Sequence, residues 1–398
     1  MVRIGLGIVL FGTLLWGADA AAPKLNDKFS DSSKCKSCHM PIVKKWEDSY
    51  HAKSHFNSDE YLRESMKYVS RKTRKSLNAV KVQCAACHNP RIAVTETGID
   101  YEIAAVMKLD KGSKVNRALA SDTLTEGINC LVCHNIDKIH EEFGSDKRGI
   151  HRIEWNPVGT MSGPIENAKS PYHKIQYRDF FGKDPKKLCF VCHANDRSVE
   201  GFVFANTEKE YREKSKQCAD CHMGPKKEGI ASTLPIDNGK PKKRMVRDHG
   251  FVGAHTNWLW KGALELKAKT EGNDLLVTLT NHNPHNIPTG FGSRELLVEV
   301  EYKAGDRTIK KDTLSLTRHY TDKRGKPTIP HLALKASTDL SVPANGSRTF
   351  KIARAEGAGR AEITLSYRLV NDEVQSLLKL KEAQWSEKKF IDRVNINF

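Results

Sequence analysis

The sequence predicts an α+β chain: a mostly helical and irregular N-terminal part with little sheet, followed by a C-terminal antiparallel β-sandwich. Two observations divide it. All ten cysteines lie between positions 35 and 221, whereas beyond about Trp260 cysteine is absent and apolar residues begin to alternate with polar ones. A third observation narrows the class: 398 residues with only 38% hydrophobic residues and a formal charge of +17 exclude a membrane-embedded protein and leave one or two domains.

The first segment reads as targeting. Arg3 precedes the apolar run IGLGIVLFGTLLWG, and Ala18-Asp19-Ala20 places small residues where a signal peptidase reads them. Residues 1–21 are therefore expected to be a signal peptide, cleaved after about Ala20 to Ala22. The run is short against the ~20 apolar residues a spanning helix needs, and an uncleaved anchor is the alternative. The expectation is a periplasmic or otherwise exported protein with no membrane span after cleavage.

The cysteines fall in five pairs, each followed at once by histidine: Cys35, Cys38, His39; Cys84, Cys87, His88; Cys130, Cys133, His134; Cys189, Cys192, His193; and Cys218, Cys221, His222. C-x-x-C-H is the attachment signature of c-type haem. Two thioethers must reach the two vinyl groups on one porphyrin edge, while the next residue aims an imidazole at the iron. Zinc sites take four ligands from paired C-x-x-C units and need no histidine after each. A thioredoxin-like motif would occur once in a βαβ pattern, and disulfides seldom join cysteines two residues apart five times over. Five covalent haems, with His39, His88, His134, His193 and His222 as proximal iron ligands, are the expected cofactors.

The motifs occupy residues 22–260, the expected haem domain. Their spacings of 49, 46, 59 and 29 residues are irregular, so the chain is no solenoid. About 38 residues per motif are too few for a side-chain core around each, so the macrocycles must form the core. Asn57 or Ser58 is placed to cap a helix through Met66 and Tyr68, Thr207-x-x-Glu210 reads as a capping box, and Asp100 to Leu109 is a short helical candidate. Residues 261–398 are the expected sandwich, on the alternations Leu264/Leu266/Ala268, Leu275/Val277/Leu279, Leu296/Val298/Val300/Tyr302 and Ile363/Leu365/Tyr367/Leu369. Turns at Glu271-Gly272-Asn273-Asp274, Ala304-Gly305-Asp306 and Ala344-Asn345-Gly346 separate them, and a closing helical stretch runs from Asp372 to Ile391.

Eleven of sixteen histidines remain for the opposite face of each iron. Here the sequence resembles the multihaem cytochromes c related to the tetrahaem electron-acceptor cytochrome of hydroxylamine oxidoreductase. The stretch CKSCHMPIVKKWEDSYHAKSH is similar to that family's haem motif followed by Trp and Ser-x-His-Ala, which implies His51 as a distal ligand. CLVCHNIDKIH implies His140, SPYHKIQYRDFF implies His173, and RDHGFVGAH implies His249 with His255. The likeness spans roughly residues 30 to 258, and NHNPHNIPTGFGSRELLVEV resembles the opening of an appended β domain, whose His285 could reach a haem. His55 shares a helical face with His51, and His151, His282, His319 and His331 read as ordinary polar residues.

Bis-histidine iron has no open site and transfers electrons, whereas an iron lacking its sixth ligand binds small molecules. The favoured function is thus an exported five-haem electron carrier serving redox partner proteins, such as a membrane quinol dehydrogenase or a terminal reductase. The alternatives are a multihaem reductase of small nitrogen or sulfur compounds at one open haem, and a subunit of an extracellular haem filament. A nucleic-acid partner is excluded by export and the lack of a recognition motif. About ten haem propionates set against +17 leave about +7.

Overall fold

The computed structural model describes residues 31–120, 126–142, 147–213, 215–260 and 262–398; the stretch 1–21, expected to be a signal peptide, lies outside the described residues. The N-terminal part is built of short helices: Ser32–Glu47, Tyr50–Lys53, Glu60–Thr73, Leu77–His88, Ile99–Val106, Lys114–Leu119, Cys130–His134, Lys186–His193 and Cys218–His222 among them. Polar caps start them. Asp31 accepts from Ser33 N–H, Ser76 from Ala79 N–H, and Asn129 from Leu131 and Val132 N–H. The helix anticipated near Asn57 begins at Glu60 with Asp59 as its cap, because the Asp59 carboxylate reaches Leu62 N–H. Likewise Asn206, not Thr207, caps the short turn Thr207–Glu210, and the Glu210 carboxyl accepts from the Thr289 hydroxyl instead of closing a capping box.

This part also holds more sheet than expected, all of it in two-stranded pieces. The longest is an antiparallel ribbon, Lys227–Asp237 with Lys240–Val246. Thr160–Gly163 and Lys174–Tyr177 pair in parallel.

The C-terminal part is the predicted sandwich. One sheet orders Gly346–Ala353, Asp274–Asn281 and Leu264–Glu271; the other orders Arg307–Leu316, Glu295–Ala304, Arg360–Arg368 and Lys389–Asn397, antiparallel throughout. Alternation does what it promised: Leu275, Val277 and Leu279 on one sheet and Ile363 and Leu365 on the other are fully buried between them. The closing stretch differs from expectation. Its helix covers only Asp372–Leu378, ends on Lys379 in the left-handed region, and the chain then adds the edge strand Lys389–Asn397. That strand alternates buried Lys389 with exposed Phe390 and pairs with Arg360–Arg368, so sheet pairing overrides the helical pattern.

The two parts share a core. Tyr61, Leu62, Met66 and Val69 of Glu60–Thr73 join the same apolar cluster as the sandwich residues. The buried Glu60 carboxylate accepts from Lys381 N–H, Glu382 N–H and Trp385 Nε1–H. Burial pushes that carboxyl up, but these donors prevail and hold it below its usual range.

A candidate multihaem site

Each C-x-x-C-H motif lies in a helix, where positions i, i+3 and i+4 share one face. Both thiols and the imidazole therefore point the same way. All ten cysteines and all five motif histidines line one continuous cavity of ≈ 1570 Å³, larger than the ~300–1,000 Å³ of a single small-molecule pocket. In the first helix His39 departs from helical geometry (φ −112°, ψ 30°) and Pro41 follows, so the chain bends directly after its imidazole.

The motifs are packed on one another. The thiols of Cys35 and Cys130 are in contact, as are those of Cys87 and Cys192 and those of Cys189 and Cys218. The Glu126 carboxylate accepts from Ser32 N–H, tying the start of the first motif helix to the segment that leads into the third. Gly127 runs so close to the His51 carbonyl that no Cβ fits, and Gly149, at φ +56°, meets the Ala86 carbonyl in the same way.

Outer groups orient the motif imidazoles. Nδ1–H of His39 donates to the Ala231 carbonyl at 2.6 Å, that of His134 to Ser162 at 2.8 Å and that of His222 to Val252 at 2.6 Å, while His88 Nδ1 pairs with the Ser54 hydroxyl at 2.6 Å. With Nδ1 so engaged, Nε2 is left as the free electron pair. Burial holds His88 and His134 at about 4 and lowers His193. They stay neutral, the form that binds a metal.

Four motif histidines face a second imidazole. Ring centroids are 6.4 Å apart for His39 and His173, 6.3 Å for His193 and His51, 6.4 Å for His134 and His249, and 6.3 Å for His222 and His285. Their planes diverge by only 22 to 36°. Each opposing histidine arrives from a distant segment. His51 rides on the turn Tyr50–Lys53, fixed by Gly127 and Ile128 N–H donating to Ala52 and His51 carbonyls; burial and the like-charged His193 hold it at about 3. The run 247–252 serves two motifs: Arg247 bonds Asp220 and the Ala219 carbonyl of the fifth, His249 faces the third, and Val252 supplies the acceptor for His222. His285 comes from the sandwich, its carbonyl held by Asn281 Nδ2–H at 2.8 Å.

Two expected positions fall elsewhere. His140 lies outside the cavity, Nδ1 2.6 Å from Glu142 Oε1 and Nε2 2.5 Å from Glu154 Oε1. After His134 the chain becomes the strand Ile136–Ile139, paired with Ile153–Trp155, and this pairing carries His140 towards the acid. His255 lines the cavity but stacks on Tyr50, ring centroids 3.2 Å apart, and meets Trp385 edge-on. Among the described residues, no imidazole stacks across from His88. The histidines bearing on it are His331 first, then His193. His331, read from sequence as an ordinary polar residue, sits half-buried in the cavity wall on the turn Pro330–Leu332, its Nδ1 buried without a partner among the described residues and its imidazole held at about 4 by burial and Arg148. Nothing in its sequence neighbours marks it, because the turn is delivered there by the sandwich.

Residues 34–135 match the family described as "Cytochrome c554 and c-prime". No curated protein sequence matches the chain. The penta-heme cytochrome c552 from Thermochromatium tepidum superposes with a TM-score of 0.68 over 92% of this chain and 98% of that one, at 20% identity. A structural-genomics target (9% identity, 34% of this chain and 88% of that one) reaches only 0.14. The chain thus shares the fold of that protein, and about a quarter of its length, residues 34–135, is similar to the cytochrome c554 and c-prime family.

Proposed function

We propose that the chain is an exported c-type cytochrome that carries five covalent haems and passes electrons between redox partners. The observation that carries this reading is the set of four facing imidazole pairs. Two metal–imidazole bonds of about 2.0–2.1 Å, with about 1.1–1.2 Å from each nitrogen to its ring centre, separate centroids by about 6.2–6.6 Å. The pairs at 6.3 and 6.4 Å match that spacing. Haem supplies reversible one-electron chemistry at iron. The chain binds it through the ten cysteines, orients the motif imidazoles through the carbonyls at 231, 162 and 252, and excludes water with an apolar lining. His173, His51, His249 and His285 close the second face opposite His39, His193, His134 and His222.

The charge reading has support as well. The cavity walls carry Lys34, Arg148, Lys169, Arg197, Lys216, Lys226, Lys242, Arg244, Arg247 and Arg294 against Asp48, Asp59 and Asp196. Such a lining suits a cluster of propionates. The thiol contacts join motif one to three and motif four to two and five, and Cys133 of the third motif bears on Cys189 and Cys192 of the fourth, so the third and fourth motifs link the two groups. We assign residues 22–260 to the haem domain and 261–398 to the sandwich that lends it His285.

One observation favours a second reading, a reductase at one open haem: among the described residues His88 alone of the motif histidines lacks a facing imidazole, and the half-buried His331, Arg148 and Asp196 lie on its side of the cavity. Electron paramagnetic resonance separates the two. Five haems by mass spectrometry with only low-spin ferric signals establish the carrier; one high-spin signal that His331→Ala leaves unchanged establishes the open haem. Any haem count other than five overturns both.

A further inference from the structure

The helix Ile99–Val106 has two apolar faces. Tyr101 and Ala105 turn inward onto Ala79, Val82 and Ala85 of the helix that carries the second motif, and onto Val115 and Ala118. Outward, Ile99, Ile103, Val106 and Met107 follow the i, i+4, i+7, i+8 spacing of one helical face, and Leu109 continues it; they are 56 to 80% exposed. Five large apolar side chains within eleven residues form a contiguous patch, unlike the scattered apolar exposure normal for a surface. They project from a short helix and its turn, so the patch is convex.

The border of the patch is cationic. Lys108, Lys111, Lys114 and Arg117 are exposed and, among the described residues, make no ion pair. The Ser76 N–H donates to the Glu102 carboxylate at 2.8 Å, which brings the exposed Arg71, Lys72, Arg74 and Lys75 alongside. Of the nearby acids, Asp110 is engaged by Asn116 and Tyr101, and Glu102 by Ser76; Glu96 and Asp100 stand exposed at the opposite, N-terminal end.

We infer that this face docks on an anionic lipid surface, with Ile99, Ile103, Val106, Met107 and Leu109 among the headgroups and the lysines and Arg117 over the phosphates. A protruding apolar ridge flanked by unpaired cations is the arrangement by which interfacial helices bind such membranes, and each surface cation adds about 1 kcal/mol of attraction. A protein groove or a second copy would require no such run of cations along the C-terminal side of the ridge. If the proposed electron-transfer function holds, docking sets the second motif, one helix behind the ridge, nearest the bilayer; the docking itself does not depend on that function.

The test is co-sedimentation of the intact holoprotein with vesicles of phosphatidylcholine alone or mixed with phosphatidylglycerol, at low and high salt. Binding is expected only to the mixed vesicles, weakened by salt. I103D together with V106D, both at exposed positions, is expected to lower binding at least tenfold with an unchanged Soret spectrum. K108Q with K111Q and K114Q, which leaves the apolar face intact, should cost roughly a hundredfold or more by the attraction per cation. Equal binding to neutral vesicles, or unchanged binding by either variant, overturns the inference. So does a solution dimer of the parent protein that the aspartate variant dissociates, which assigns the ridge to a second copy.

Discussion

The two halves of the molecule bury apolar surface in opposite ways. In the sandwich, strands pack against each other and Leu275, Val277, Val298, Ile363 and Leu365 are wholly buried by other side chains. In residues 31–260 the small clusters around Ala79 to Ala118 and around Ile136 to Val191 stand beside one large cavity, and the apolar faces of the motif helices look into it. One half supplies its own core; the other is arranged around something else. Packed interiors are close to crystal density, so a cavity of this size implies that its occupant is part of the fold.

That contrast can be broken most severely by preventing haem attachment. With Cys130 and Cys133 both changed to Ser, the region around the first and third motifs is expected to become protease-sensitive while the sandwich fragment resists; limited proteolysis with mass mapping measures this. Loss of resistance in both halves at once would erase the distinction. Next in size is Glu60→Ala at the seam. It strips the partners from Lys381, Glu382 and Trp385, and should lower stability by roughly 3 to 5 kcal/mol in denaturant titration. Leu279→Ala is expected to cost about 2 to 5 kcal/mol through a cavity in the sandwich and to leave the haem spectrum alone.

His285→Ala sharpens the comparison from the other side, since it removes a sandwich residue from the haem cavity. One low-spin signal should convert to high-spin, with little change in thermal unfolding of the sandwich. The smallest effect concerns Glu210, at the seam near Thr289, whose carboxyl burial pushes up to about 7. A raised carboxyl means that the folded state binds the proton more tightly than the unfolded chain. Its contribution is therefore fully present below about pH 4.5 and is lost as pH rises towards 7. Glu210→Gln should leave the melting temperature unchanged below about pH 4.5, flatten its fall across that window and leave it higher than the parent's above pH 7.

Much of this architecture was legible because its signals are local. The period-two runs located four of the seven sandwich strands, Leu264–Glu271, Asp274–Asn281, Glu295–Ala304 and Arg360–Arg368, to within about three residues, since alternation directly encodes which side faces inward. The C-x-x-C-H spacing on a helix fixed the inward faces of five helices. The closing helical stretch failed because Phe390, Ile391 and Val394 satisfy a helical pattern and an edge strand alike, and the neighbouring strand Arg360–Arg368 decided between them. His140 is placed differently from expectation for a related reason: pairing of Ile136–Ile139 with Ile153–Trp155 turns it towards Glu154.

By itself the sequence determined what is written within a few residues: the five C-x-x-C-H motifs, the inward side of four sandwich strands, and the sign of the overall charge. Tertiary structure alone decided the pairing across chain distance. It set His51 of the first segment opposite His193, carried His249 from beyond the fifth motif to the third, and reached into the cavity from the sandwich with His285 and His331. The physical reason is that a facing imidazole needs only to arrive at one point with one orientation. Any loop that the packing brings there can deliver it, so its neighbours in the chain need carry no mark of the role.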